Sequence, residues 1–320
     1  MKNIPFFLLI LMFAFSCKKE HPLEATIAQK NIDIQVERFD MLFAKAAPED
    51  LPKLKSEYPF MFSKKYPDSF WIENMQDTLQ IELFKASKDV FPNFNNEEIE
   101  IESLFNHLSY YFPEFKTPRV ITATSFVDYR NKVIVTDSIV LISIDTYLGN
   151  DHPFYEGIQK YIKQNLTKTQ IVADLAAAYA EKQILPKQKK TLLDEMIYYG
   201  KALYFKDIMI PFVSEARRIG YSEDQLKWAL ANENYIWRYF VERELLYSTD
   251  SKLPNRFINP APFSKFNLAE IDSDSPGRLG QYIGWQIVKA FMENNDVLLK
   301  DMLIASPDYI FNKSKFKPRK

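Results

Sequence analysis

The stretch Thr191–Phe205, TLLDEMIYYGKALYF, comes nearer to a chemical pattern than any other part of this sequence. In the helical pattern H-E-x-x-H, two histidines at i and i+4 hold zinc, and the glutamate between them activates a water for hydrolysis. Here Asp194 and Tyr198 stand at the two ligand positions and Glu195 at that of the base. A carboxylate and a phenol make a poor zinc site without nitrogen donors. The chain offers 3 histidines, His21, His107 and His152, and none follows the helix. The expectation is no metal, no cofactor and no catalytic residue. Asp194, Glu195 and Tyr198 are then expected to line a groove or to meet internal basic partners.

At about 100° per residue, Leu192, Leu193, Met196, Ile197, Gly200, Leu203 and Tyr204 form one apolar stripe. Asp194, Tyr198, Ala202 and Phe205 fall opposite, with Glu195 at the edge. A second face that mixes acids with aromatics predicts neighbours on both sides of this helix. Three of the 7 glycines sit in SPGRLGQYIGWQIVKAF. Gly277 beside Pro276 suits a helix start. Gly280 and Gly284, four apart, clear one helix face for a close backbone approach, and tight packing must offset the roughly 0.8–1 kcal/mol that each costs the helix. In ENYIWRYFVERELLY the apolar spacing reads as core. The proline-rich INPAPFSKF reads as a stiff loop. Neither a phosphate-binding glycine loop nor a G-x-S-x-G elbow occurs in the sequence.

The elements around these residues follow from pattern and composition. Ile32, Ile34 and Val36 alternate with polar residues, which predicts a half-buried strand. From Phe39 to Pro113 short helical segments are punctuated by prolines, and Asn95 is expected to cap a helix running to about Tyr110. RVITATSF, KVIVTDS and IVLISIDTYLG read as strands, with DYRN as a turn between the first two. Helices are expected over 167–183, 187–205, 222–228, 233–247 and 277–293. The class is α+β, mostly helical, with a small mixed or antiparallel sheet packed by helices.

With 320 residues, 47% hydrophobic and 15% aromatic, the chain can bury a large core. A formal net charge of −1 gives no electrostatic case for nucleic acid. Lys2 followed by the apolar run 4–15 is shorter than the ~20 residues of a membrane span and fits a secretory leader. The run ends in Ala14-Phe15-Ser16-Cys17, which resembles a bacterial lipobox. Residues 1–16 are therefore expected to be removed, and Cys17, the sole cysteine, to carry the lipid. Cleavage would remove one basic residue, Lys2, and no acid, taking the charge from −1 to −2. Membrane attachment would then rest on the acyl chains. Residues 17–30 are expected to form the lipidated cysteine and a polar tether, 31–320 one domain, and 312–320 a basic tail.

Several segments together resemble the family of the gliding-motility-associated lipoprotein GldB of the Bacteroidota. They are Cys17, RFD at 38–40, IDTYLG at 144–149, YYGKALYF at 198–205, ENYIWRYFVERELLYSTD at 233–250, FINPAPFSKF at 257–266 and SPGRLGQYIGWQIVKAFM at 275–292. That family is similar in turn to zincin-like putative proteases. The resemblance implies a zincin-like arrangement with a degenerate active-site helix. It also implies a lipid-anchored envelope component needed for gliding; the missing ligands point to a non-enzymatic one, and Lys18 after Cys17, where Asp is absent, to sorting to the outer membrane by analogy with lipoproteins generally. Its partners would be envelope proteins of the motility and type IX secretion machinery. The alternative is a cryptic metallopeptidase using Asp194 and Glu195 with a distant His107 or His152.

Overall fold

The computed structural model describes residues 22–185 and 190–320. Cys17, the leader 1–16 and His21 lie outside the described residues. The Val-, Ile- and Thr-rich segments build a four-stranded sheet from Val36–Arg38 (β1), Arg119–Ala123 (β2), Val133–Val135 (β3) and Ile139–Ser143 (β4). Its order is β1-β2-β4-β3; β1, β2 and β4 run parallel and β3 is antiparallel to β4, so the sheet is mixed. DYRN turns as expected, Asn131 N donating to Asp128 O at 3.1 Å. The strand before it stops at Ala123, because Phe126 and Val127 both take left-handed φ, 55° and 60°. The buried Asp145 carboxylate holds that kink by accepting from Ser125 N at 3.0 Å and Val127 N at 2.7 Å.

Residue alternation in the strands divides the core in two. On one face Ile121 meets Phe39 and Phe43 of α1 (Phe39–Lys45) and Phe84 of α2 (Thr78–Val90). On the other, Val120, Val140 and Ile142 meet Leu104 and Phe105 of α3 (Asn95–Tyr111) and Leu175 and Ala176 of α4 (Ile171–Gln183). That second core continues into a helical half made by α5 (Leu192–Met209), α6 (Glu233–Glu242), α7 (Leu279–Asn294) and α8 (Pro307–Ser314). The protein is thus mostly helical α+β. α7 is buried almost all round from Leu279 to Val288, which makes it the central helix of this half.

Several sequence expectations are corrected here. The alternating run 32–36 is extended, but only Val36 joins the sheet. Ile32 N, Ile34 N and Val36 N donate instead to Asn106 Oδ1, Glu102 Oε1 and Glu98 Oε1 of α3, at 3.0, 3.1 and 2.9 Å. Every second residue of an extended chain advances about 6.8 Å and every fourth residue of a helix about 6 Å, so the two rows match. Asn95 is not a cap but the first residue of α3; the N-cap position belongs to Phe94. Within the expected tether, Pro22–Ala28 forms a helix whose Ile27 is buried in the fold. The basic tail is tied down as well: the Phe316 ring meets Trp237 at 5.2 Å, and Arg319 N donates to the buried Glu233 carboxylate at 2.9 Å. α7 starts at Leu279, not at Gly277. A Cβ on Gly277 would lie 2.4 Å from Ala261 O, so that glycine serves the close approach of the INPAP loop.

Candidate functional site

The helix that suggested chemistry begins later than its pattern implied. Thr191 is the N-cap of α5, and its hydroxyl accepts from Asp194 N at 3.1 Å. The Asp194 carboxylate in return accepts from Thr191 N and Lys190 N, both at 3.0 Å. This is a capping box, so the carboxylate at the first ligand position is committed to backbone. Glu195 is half-buried in the same first turn. Tyr198 packs edge-on against Tyr199 with ring centroids 5.2 Å apart. Burial raises the Tyr198 pKa, and the nearby Glu181 and Glu195 charges add to the rise. The helix does have neighbours on two sides, as its second face predicted: Phe205 is fully buried and meets Phe112.

His107 and His152 have partners of their own outside this turn. Buried His107, on α3, bonds through Nδ1 to Ser103 O at 2.8 Å and has Nε2 3.3 Å from Glu24 Oε2. His152 accepts from Phe154 N in a short 3-10 turn, and burial lowers its pKa. Among the described residues no three His, Cys, Asp or Glu side chains gather as a metal site.

Gly280 and Gly284 are packing glycines with two different neighbours. A Cβ on Gly284 would lie 1.8 Å from Met196 O, and one on Gly200 would lie 2.3 Å from Gly284 O. Gly200 in α5 is therefore the counterpart of Gly284, and the backbones of α5 and α7 cross in contact there. Gly280 faces Phe257 and Ile258 instead.

The sequence reading missed a cleft of about 320 Å³ beyond the carboxyl ends of β2 and β4. Tyr129, Arg130 and Lys132 come from the β2–β3 connection, Asp174 from α4, Lys206 from α5, and Arg278 from the N-cap of α7. One acid thus faces four bases. Asp174 pairs with Lys132 at 2.5 Å and accepts from Tyr147 OH at 2.9 Å. Lys206 is 8% exposed and donates to Arg218 O at 2.9 Å. Burial pulls its pKa down to about 8, against the pull of Asp174. Arg278 has left-handed φ, 62°, lies over the Tyr221 ring at 5.3 Å and donates to Gly220 O at 2.8 Å. Burial lowers its pKa too. The signals available in the sequence were a lysine on a helix otherwise apolar on that side and an arginine inside a Pro-Gly turn.

A mostly helical α+β protein with a mixed sheet, a glycine-crossed pair of central helices and a cation-rich cleft is the class defined so far. Within that class the chain belongs to the family of the gliding motility protein GldB, whose family model matches residues 20–318. It is accordingly a gliding-motility-related lipoprotein, and Cys17 precedes the matched region. No curated protein and no solved structure matches the chain significantly.

Proposed function

We propose that this protein serves gliding as a lipid-anchored envelope component that catalyses no reaction. In this reading Cys17 carries the acyl chains at the outer membrane, and the folded part engages envelope proteins of the motility and type IX secretion machinery. The helix of α5 then keeps the place of a zincin-like active-site helix in the fold while its polar residues serve structure. The observation that carries the reading is the commitment of Asp194. Its carboxylate closes the helix cap by accepting two backbone N–H groups on Oδ2, which ties it to the start of α5.

The test is Glu195→Gln, which keeps shape and removes charge, combined with metal analysis of the purified protein. Gliding that persists at normal abundance, without stoichiometric zinc, supports the reading. Loss of gliding in a folded, abundant variant, together with about one zinc per wild-type chain, overturns it in favour of a metallopeptidase. Cys17→Ala is expected to move the protein out of the membrane fraction. Retention there with normal processing refutes the lipid assignment.

A further inference from the structure

We propose that the cleft bounded by the β2–β3 connection, α4 and the amino end of α7 binds a phosphate group, carried by a small phosphomonoester or a lipid headgroup. Lys206 and Arg278 hold it at the floor, and Lys132 and Arg130 stand nearer the mouth. Counting side chains, Arg130, Lys132, Lys206 and Arg278 face Asp174 alone, and Asp174 is already paired with Lys132. Lys206 and Arg278 therefore stand in a largely buried site with no direct ion pair of their own among the described residues, although the Asp174 charge acts on both and that of Glu181 on Lys206. A buried cation is costly unless an opposite charge meets it.

Packing alone does not account for the charge of Arg278. Both cations meet carbonyls at the end of the helix Glu215–Ile219, where Lys206 bonds Arg218 O and Arg278 bonds Gly220 O. Neutral amides do this work at Arg217 O and Gly220 O, while Lys206 caps Arg218 O. Gln170 Nε2 donates to Arg217 O at 3.0 Å, and Asn165 Nδ2 and Gln164 Nε2 donate to Gly220 O at 3.0 and 3.3 Å. Gly220 O has two lone pairs and three donors, so Arg278 is not required to satisfy it. What Arg278 adds is a positive charge and further N–H groups, in a left-handed conformation that a non-glycine residue adopts only when its surroundings enforce it.

The charge count selects the ligand class. A carboxylate neutralises one of the two cations, whereas a phosphomonoester carries about −1.5 to −2 at neutral pH and matches both. An arginine fork beside a lysine point charge also suits a tetrahedral oxyanion. Tyr129 and Tyr161 on the wall offer apolar surface to whatever bears the phosphate.

The test uses the full-length protein in a neutral detergent at constant ionic strength. Inorganic phosphate and short-chain phosphatidic acid in mixed micelles are titrated separately by calorimetry. Saturable binding of either probe is expected. Phosphate binding that the lipid does not improve identifies a solute site, and lipid binding at least tenfold tighter identifies a headgroup site. Lys206→Met should weaken binding about tenfold or more, the loss of a charge-assisted bond, and Lys206→Arg should retain it. Arg130→Gln, at an exposed position that leaves the core untouched, should weaken binding about threefold and serves if the Lys206 variant does not fold. No saturable binding of either probe to folded wild-type protein overturns the proposal. Undiminished binding in the folded variants overturns it too.

Discussion

Gly284→Ala adds a single methyl group to the molecule, and the structure sets its cost. That methyl would fall 1.8 Å from Met196 O, where ordinary contact begins at 3.4 Å, so α7 must retreat from α5 by about 1.6 Å. Rotamer change offers no escape, because both the intruding atom and its obstacle belong to the backbone frame. The retreat loosens Trp285, Ile287, Met196 and Ile197, all fully buried, in an interior packed like a crystal. Overpacking and lost contacts of this kind cost roughly 3–5 kcal/mol, and replacing a helical glycine returns about 1. The net loss of about 2–4 kcal/mol corresponds, for a chain of this length, to a melting temperature lower by roughly 3–6 °C. Calorimetric or circular-dichroism melts of the purified protein measure it. A variant melting within about 2 °C of wild type would refute the backbone crossing. Gly200→Ala meets the same crossing from the other side, so the double variant should lose less than the sum of the two single changes.

Three further outcomes are expected. Thr191→Ala removes the N-cap oxygen and should destabilise the fold by about 0.5–2 kcal/mol with gliding intact, read by denaturant titration. Lys206 has a folded pKa of about 8 against 10.5 unfolded. Below pH 8 both states hold the proton; above it the folded state sheds it first, so stability should rise with pH, by roughly 1.5 kcal/mol between pH 8 and 9.5. Lys206→Met should flatten that rise. Ile27→Ala, in the helix that precedes the extended run, should cost about 2–4 kcal/mol; an unchanged melt would show that this helix is not part of the stable fold.

The strands and the helical half were legible because periodicity speaks directly to burial. The polar residues were harder. Thr191-Leu-Leu-Asp194 carries a capping-box signal three residues apart, which the comparison with H-E-x-x-H passed over. Helical sorting assigns lysines to solvent, yet Lys201 is buried and donates to Leu303 O and Ala305 O at 2.9 and 2.7 Å. It neutralises the end of the helix Leu299–Ile304, a partner about a hundred residues away that no local window contains. Gly284 was legible as a packing glycine, whereas its counterpart Gly200 appeared as one member of an apolar stripe. The cleft draws on Lys132, Asp174, Lys206 and Arg278 from four separated segments, so only the tertiary fold brings it together.

The pairing of residues 32–36 with α3 has a mechanical side. Tension applied at the amino-terminal end first meets the helix Pro22–Ala28 with its buried Ile27; once that helix yields, it enters through Ile32 N, Ile34 N and Val36 N, and then through the parallel ladder of β1 on β2. Pulled along its own axis, this segment strains all three bonds and the ladder at once, so they yield together or not at all. Pulled sideways, they open one after another, beginning at Asn106. The chain therefore resists a lengthwise tug better than a peel. The direction of tension at the amino-terminal end, more than its size, decides whether the sheet stays whole.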